Sequence, residues 1–233
     1  MKVGVISDIH GNLPALEAVL EELAQEGVNT VLCAGDIVGS LGWSNAVCSL
    51  VRLTADHIVF GNHDANVMPR FQESNEVLSM EYNIVIEDLH PSTLDWLSEL
   101  PDKKVGMLGG VKTTLVHAHP HKEPHHGFPA QNYLDPKDYT KAGSNMDYGI
   151  VVHGHTHDQH ALDLTKFDGL KGSIVNPGSV GVPWNKPAEY AIIEYPNLDV
   201  DLRTVEYDTE RNITRFKELG LEGWKEQVSD RKF

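Results

Sequence analysis

Lys2-Val3-Gly4-Val5-Ile6-Ser7-Asp8-Ile9-His10 opens the chain as an apolar, β-branched run that ends on two metal-type ligands. The next stretch changes period. From Asn12 to Gly27 the pattern is helical, with Asn12 as N-cap, Pro14 in the first turn, Leu13, Leu16, Val19, Leu20 and Leu23 on one face, and Gly27 as the stop. A new apolar run, Thr30–Ala34, follows at once. The opening therefore reads as strand, ligand loop, helix, strand, which places the chain in the α/β class.

The same grammar recurs four times. Gly35-Asp36 follows Thr30–Ala34, Gly61-Asn62-His63-Asp64 follows Ile58–Phe60, His117 follows Thr113–Val116, and Gly154-His155-Thr156-His157 follows Ile150–Val152. In an open α/β sheet the ligand crevice lies beyond the carboxyl ends of the strands, where loop residues from several strands converge. Together these loops supply two carboxylates, one amide and four imidazoles, with a fifth His beside them. Oxygen and imidazole donors without thiolate suit divalent Mn, Fe, Ni or Zn better than Ca or Mg alone. The set reads as a two-metal hydrolase site.

At 233 residues with 40% hydrophobic composition the chain can bury one sizeable core, so residues 1–233 are expected to form a single domain. No secretory h-region precedes Asp8 and no segment reaches the length of a membrane span, which leads to the expectation of a soluble, cytoplasmic protein without a membrane partner. Cys33 and Cys48 lie inside a strand pattern and a helix pattern, fitting buried reduced thiols. The net charge of −15 repels polyanions and argues against nucleic acid as a partner. Two divalent cations outweigh two carboxylates and a hydroxide, so the site itself can still draw a phosphate. A homo-oligomer is left open.

Helical patterns cover Trp43–Arg52, part of Glu73–Tyr82, and Ser92–Leu100. After Pro101 the pattern turns to short β runs, Val105–Leu108, Lys112–Val116, Gly149–Val152, Ala161–Leu164, Ser173–Val175, Glu189–Glu194 and Val200–Val205. The change from βα units to consecutive strands predicts a second sheet packed on the first, a four-layer α/β/β/α sandwich of two mixed sheets. Asn212–Leu219 reads as a terminal helix and Glu222–Phe233 as a tail. The long irregular stretch Ala118–Asp135 holds His119, His121, His125, His126 and Phe128, and is expected to select the substrate.

The ordered series Asp8-x-His10, Gly35-Asp36, Gly61-Asn62-His63-Asp64, His117 and Gly154-His155-Thr156-His157 resembles the calcineurin-like metallophosphoesterase superfamily, from the first strand to about Ser179. Each piece alone is common, and the order carries the resemblance. Asn176-Pro177-Gly178-Ser179-Val180-Gly181 resembles the small prokaryotic phosphodiesterase branch. The resemblance implies the same sandwich fold and two divalent ions, Mn first among Ni, Fe and Zn. One carboxylate oxygen on each ion would hold the pair roughly 3.5–4 Å apart and fix the attacking hydroxide between them. Asp36 is assigned that bridge. By resemblance Asp8, His10 and His157 complete one ion with Asp36, while Asn62, His117 and His155 complete the other. In the family the His equivalent to His63 faces the phosphate and stabilises or protonates the leaving group, which makes His63 the expected catalytic residue.

Other residues receive plainer readings. Asp64 is expected to orient or cap, and Gly35, Gly61 and Gly154 to allow backbone conformations that a β-carbon would hinder. His117, His119 and His121 alternate and share a face in an extended chain; His117, closing the apolar strand, is preferred as the ligand. His119, with Phe128, is a candidate for substrate contact. His153 could compete with His155, and a packed, hydrogen-bonded role is preferred for it. His57, His90 and His160 read as surface or interface residues, and Trp184 and Tyr190 as packing.

Protein Ser/Thr phosphatases and dinucleoside-tetraphosphate hydrolases of the superfamily continue Gly-Asp with Val-Asp-Arg-Gly, whose Arg clamps phosphate. Here Gly35-Asp36-Ile37-Val38-Gly39-Ser40 has no Arg, and Arg52 and Arg70 sit in no motif. The expected activity is hydrolysis of small phosphodiesters by in-line attack of the bridging hydroxide. A phosphomonoesterase or nucleotide phosphatase, or a non-catalytic scaffold of the retromer kind, are the alternatives.

Overall fold

The computed structural model describes residues 1–39, 41–68, 85–118, 149–166 and 172–220. Two five-stranded mixed sheets stack face to face. The first has the order β10-β9-β1-β2-β3, built from β1 (Lys2–Ile6), β2 (Thr30–Cys33), β3 (His57–Ile58), β9 (Ala188–Glu194) and β10 (Asp199–Val205). The second has the order β4-β5-β6-β8-β7, built from β4 (Lys103–Leu108), β5 (Val111–Val116), β6 (Gly149–Val152), β7 (His160–Asp163) and β8 (Ser173–Asn176). In each, three parallel strands carry antiparallel neighbours: β1, β2 and β3 in the first, β5, β6 and β8 in the second.

Alternation along the strands separates two cores. Val3, Val5, Leu32, Ala34, Ala191 and Ile193 face the second sheet and meet Val111, Leu115, Ile150, Val152 and Val175 there. Ile6, Val31, Cys33, Tyr190 and Ile192 point the other way, onto the helices. Each fully buried aliphatic side chain contributes about 1.5–3 kcal/mol by leaving water, so the shared face between sheets fixes their stacking.

Helix α1 (Leu13–Gln25) starts as its sequence dictates, with Asn12 Oδ1 accepting from the Ala15 backbone N–H at 3.2 Å and Ala15, Leu16, Val19 and Leu23 buried. Helix α2 (Ser44–Thr54) buries Val47, Cys48 and Val51, α3 (Asn62–Asn66) is a single turn and α4 (Pro91–Ser98) has Pro at its first position. Helix α5 (Glu210–Glu218) begins two residues before the expected Asn212, because the Asp208 carboxylate accepts from the Glu210 N–H, and it docks Phe216 edge-on against Trp184. On the outer face of the second sheet, Leu164 of a 3-10 turn (Leu164–Lys166) covers Val116, Val151 and Ile174. The expected strand through Leu164 stops at Asp163, whose carboxylate accepts from the Thr165 N–H and turns the chain. Strand β4 starts earlier than expected, at Lys103, since an exposed edge strand accommodates lysines. Cys33 and Cys48 are buried and unpaired, as expected.

The sandwich of two mixed sheets with helices on the outer face of the first sheet matches the expected fold class. Among the described residues no helix is long and apolar enough to cross a membrane. The expected helix within Glu73–Tyr82, most of the loop Ala118–Asp135, and the tail Glu222–Phe233 lie outside the described residues.

Candidate metal centre

The carboxyl ends of five of the six parallel strands bring the motifs to one rim. Asp8 and His10 follow β1, Asp36 follows β2, Asn62 and His63 open α3 just past β3, His117 follows β5, and His155 and His157 follow β6. Backbone hydrogen bonds tie the rim together: Asp8 N–H to Gly35 O at 3.0 Å, His10 N–H to Asp36 O at 2.9 Å, and Gly154 N–H to His117 O at 2.9 Å.

Five of these residues hold left-handed backbone: Asp8 (φ 54°), His10 (φ 50°), Asp36 (φ 52°), His155 (φ 71°) and His157 (φ 54°). Such a conformation costs an L-residue about 1 kcal/mol or more, and it persists only where the surroundings over-determine it. All five contribute ligand atoms to the clusters at the rim. No local sequence signal announces the conformation.

Ligand atoms converge in three overlapping groups among the described residues: Asp8, His10 and His157; His10, Asp36 and His63; and Asp36, His117 and His155, each within 4.8 Å. His10 Nε2 faces His157 Nε2 at 3.1 Å, and His157 Nε2 lies 3.2 Å from Asp8 Oδ1. Asp36 Oδ2 is 3.2 Å from His117 Nε2 and 4.0 Å from His10 Nε2, so one oxygen looks toward both outer groups. Asn62 Oδ1 lies 3.0 Å from His117 Nε2. All seven expected ligands therefore meet, with His63 beside them and its ring 4.4 Å from that of His10.

Electrostatics suit a cation. Burial alone would raise the Asp8 and Asp36 carboxyls, but His157 holds Asp8, and His117 and His63 hold Asp36, well below the usual range. Burial and the neighbouring His63 push His10 well below its ordinary value, and burial with His117 lowers His155 to about 4, leaving both imidazoles neutral with a lone pair to offer. Burial opposes protonation of His117 too, yet Asp36 raises it to about 10. Two buried anions surrounded by imidazoles, with two ring nitrogens facing each other, form a donor set that suits divalent metal.

The supporting residues are fully explained by contacts. Asp64 caps rather than ligates: Oδ1 accepts from the Ile37 and Val38 N–H groups and Oδ2 from the Gly61 N–H, each at 2.9 Å. Of the three expected glycines only Gly35 (φ +94°) needs left-handed freedom. Gly61 is extended, and there a β-carbon would sit 2.1 Å from Asp36 Oδ1; at Gly154 it would sit 1.9 Å from Ser7 Oγ. The requirement at these two is space. His153 is packed as expected, its Nδ1 3.1 Å from Gly154 O, with burial lowering it to about 3, and it joins none of the three groups. His57 and His160 are half-buried and His90 is exposed at the start of α4. Trp184 and Tyr190 are core. His119 and Phe128 lie outside the described residues.

Sequence reading missed how the loop after β8 serves the rim. Ser179 Oγ donates to Asp8 O at 2.8 Å, Gly181 N–H donates to the same carbonyl at 3.0 Å, and the Glu189 carboxylate accepts from the Ser179 N–H at 3.2 Å. The run Asn176–Gly181 was the available signal. A groove of about 360 Å³ lies elsewhere, at the sheet edges beside Leu32, His57 and Val105, and shares no residue with the cluster.

Comparison with known proteins agrees with this geometry. The profile of the calcineurin-like phosphoesterase superfamily domain matches residues 1–197, and the chain belongs to that family. It is 30% identical to an uncharacterized protein, MJ0912, of Methanocaldococcus jannaschii, over 95% of this chain and 94% of that one. It is also 30% identical to the phosphodiesterase YfcE of Escherichia coli K12, over 86% of this chain and 91% of that one. Among solved structures, a metallophosphoesterase of Sphaerobacter thermophilus superposes with a TM-score of 0.74 at 28% identity, covering 98% of this chain and 100% of the other. The chain is thus a calcineurin-like phosphoesterase whose site holds Asp and His clusters that could bind divalent metal.

Proposed function

We propose that the chain is a dinuclear-metal phosphodiesterase acting on small diesters, with Mn²⁺ as the ion and residues 1–233 working as one domain. The observation that carries this reading is the position of Asp36, whose Oδ2 stands within reach of both the Asp8–His10–His157 side and the His117–His155 side. Two divalent ions, when bound, supply Lewis-acid activation of water and offset charge building on the phosphate.

The chain's own residues do the rest. Asp8, His10 and His157 would hold one ion and Asn62, His117 and His155 the other, with Asp36 shared. Asn62 binds through a neutral amide and so does not cancel the cationic charge that draws the substrate. His63, beside the cluster on α3, would give a proton to the departing alkoxide oxygen.

Substrate charge decides between esters. Gly35–Gly39 contains no arginine, and Arg203, Arg211 and Arg215 are engaged by Glu26, Glu17 and Glu218. Among the described residues no bidentate cationic fork stands at the cluster, and a site of that kind gives up recognition of a dianionic monoester and favours the monoanionic diester. The similarity to a protein named as a phosphodiesterase supports the same direction. The two buried, unpaired cysteines agree with a reducing cytoplasm as its compartment. The deciding experiment compares kcat/KM for bis-p-nitrophenyl phosphate and p-nitrophenyl phosphate in Mn²⁺. A higher value for the diester is expected; a higher value for the monoester makes the chain a phosphomonoesterase.

A further inference from the structure

Asn176 closes β8 and is fully buried. Its side chain makes three hydrogen bonds whose directions fix the amide. Oδ1 accepts from the Gly178 N–H at 2.9 Å, which only an oxygen can do, so Nδ2 is the atom that faces Gly154 O at 3.1 Å and Thr156 Oγ1 at 2.9 Å. Gly154 and Thr156 belong to the loop that presents His155 to one ion group and His157 to the other, both in left-handed backbone. On its other side Asn176 begins the turn whose Ser179 Oγ and Gly181 N–H grip the carbonyl of Asp8, itself left-handed. One buried amide thus joins three of the strained ligand positions.

We propose that Asn176 is a positioning residue for the metal centre: its Nδ2 straps the His155–Thr156–His157 loop into the backbone that aims both imidazoles at the ions. This rests on the metal reading above and adds to it a residue that touches no ion. Gly154 O also accepts from the Thr156 N–H at 2.9 Å and the His155 N–H reaches the Asp8 carboxylate at 3.0 Å, but among the described residues Asn176 alone bonds both Gly154 O and the Thr156 hydroxyl, so without it the two left-handed histidines are held less firmly. Both ligand groups then hold one imidazole less firmly, since the loop feeds both. Partners of this kind typically change metal affinity about 10–100-fold.

The test uses the full chain with Asn176→Ala and Thr156→Ala, the second removing one strap contact at a half-exposed residue. Mn²⁺ binding is measured by calorimetry, thermal stability in chelator, and amide hydrogen exchange at residues 154–157 in the metal-free protein. Asn176→Ala is expected to weaken Mn²⁺ binding about 10–100-fold and to speed exchange there at least about fivefold. At saturating Mn²⁺ its diesterase kcat should recover, with KM within twofold of wild type. Thr156→Ala should move binding and exchange in the same sense by less, and it keeps the test decisive if Asn176→Ala does not fold. Unchanged Mn²⁺ affinity and unchanged exchange, with only a lower melting temperature in chelator, would assign Asn176 to the scaffold and overturn the proposal. A wild-type protein that binds no Mn²⁺ overturns the metal reading instead, an outcome separate from a wild type that binds and variants that bind equally well.

Discussion

The backbone N–H of His63 donates to Asp36 Oδ1 at 2.7 Å, so the carboxylate that faces both outer ligand groups through Oδ2 also anchors the loop carrying the candidate proton donor. One side chain therefore sets two distances at once, ligand to ligand and His63 to the cluster. The two residues nevertheless have separable chemistry.

Asp36→Asn is expected to lose ions and activity together, lowering turnover at least about 100-fold, because a neutral amide cannot bridge two cations. His63→Ala should keep its metal content and lose about 10²–10⁴ in kcat. For wild type, Mn²⁺ at 100 times its Kd adds about 2.7 kcal/mol, which raises Tm by about 5–11 °C in a chain of this size. Asp36→Asn should lose most of that rise and His63→Ala should keep it. Elemental analysis, thermal melts and diester kinetics on the two variants check this; an empty His63→Ala and a loaded Asp36→Asn would reverse the roles.

Gly61→Ala is expected to be costly for a purely spatial reason. The added carbon would sit 2.1 Å from Asp36 Oδ1 and 2.3 Å from its backbone nitrogen, so the loop must move by more than a rotamer change. A loss of about 2–3 kcal/mol is expected, roughly 4–12 °C in Tm, with reduced Mn²⁺ affinity. Gly106 on the edge strand meets nothing within 4 Å, and Gly106→Ala should stay within about 0.5 kcal/mol of wild type. Urea melts of both variants decide whether closeness to Asp36 is the cause.

Acid stability has one contribution well away from the metal centre. Hydrogen bonds from Lys2 and Arg203 lower the Glu26 carboxyl from its ordinary 4.5 to about 2. A depressed folded-state pKa gives stability that is complete above about pH 4.5 and is lost as pH falls toward 2. In chelator, Glu26→Gln should flatten that part of the acid limb, and added salt should shrink the difference because the three charges are only half-buried. An identical pH profile for wild type and variant would contradict this.

Much of the fold and the rim was legible because local chemistry writes itself into short windows. Asn12, Pro14 and Gly27 mark the ends of α1, and each ligand pair stands where an apolar run stops. The antiparallel insertion of β9 beside β1, far along the chain, leaves no local trace, because pairing across that separation depends on the whole core. The left-handed ligands, the spatial need for Gly61 and Gly154, and the grip of Ser179 on Asp8 are contacts between distant segments, hidden from periodicity. His63 joins one of the ligand groups and His153 joins none, although each lies within two residues of an expected ligand; only the packing of α3 and β6 separates them.

The requirement of diester hydrolysis for two ions held around Asp36 is the part of the proposed function on which the rest depends. It is tested most directly by stripping the protein, verifying metal content by elemental analysis, and titrating Mn²⁺ while following bis-p-nitrophenyl phosphate turnover. Turnover below about 1% of the loaded rate is expected at zero metal, rising to a plateau near two Mn²⁺ per chain. Full turnover by protein verified as metal-free, or a plateau reached at one ion per chain, would contradict that requirement.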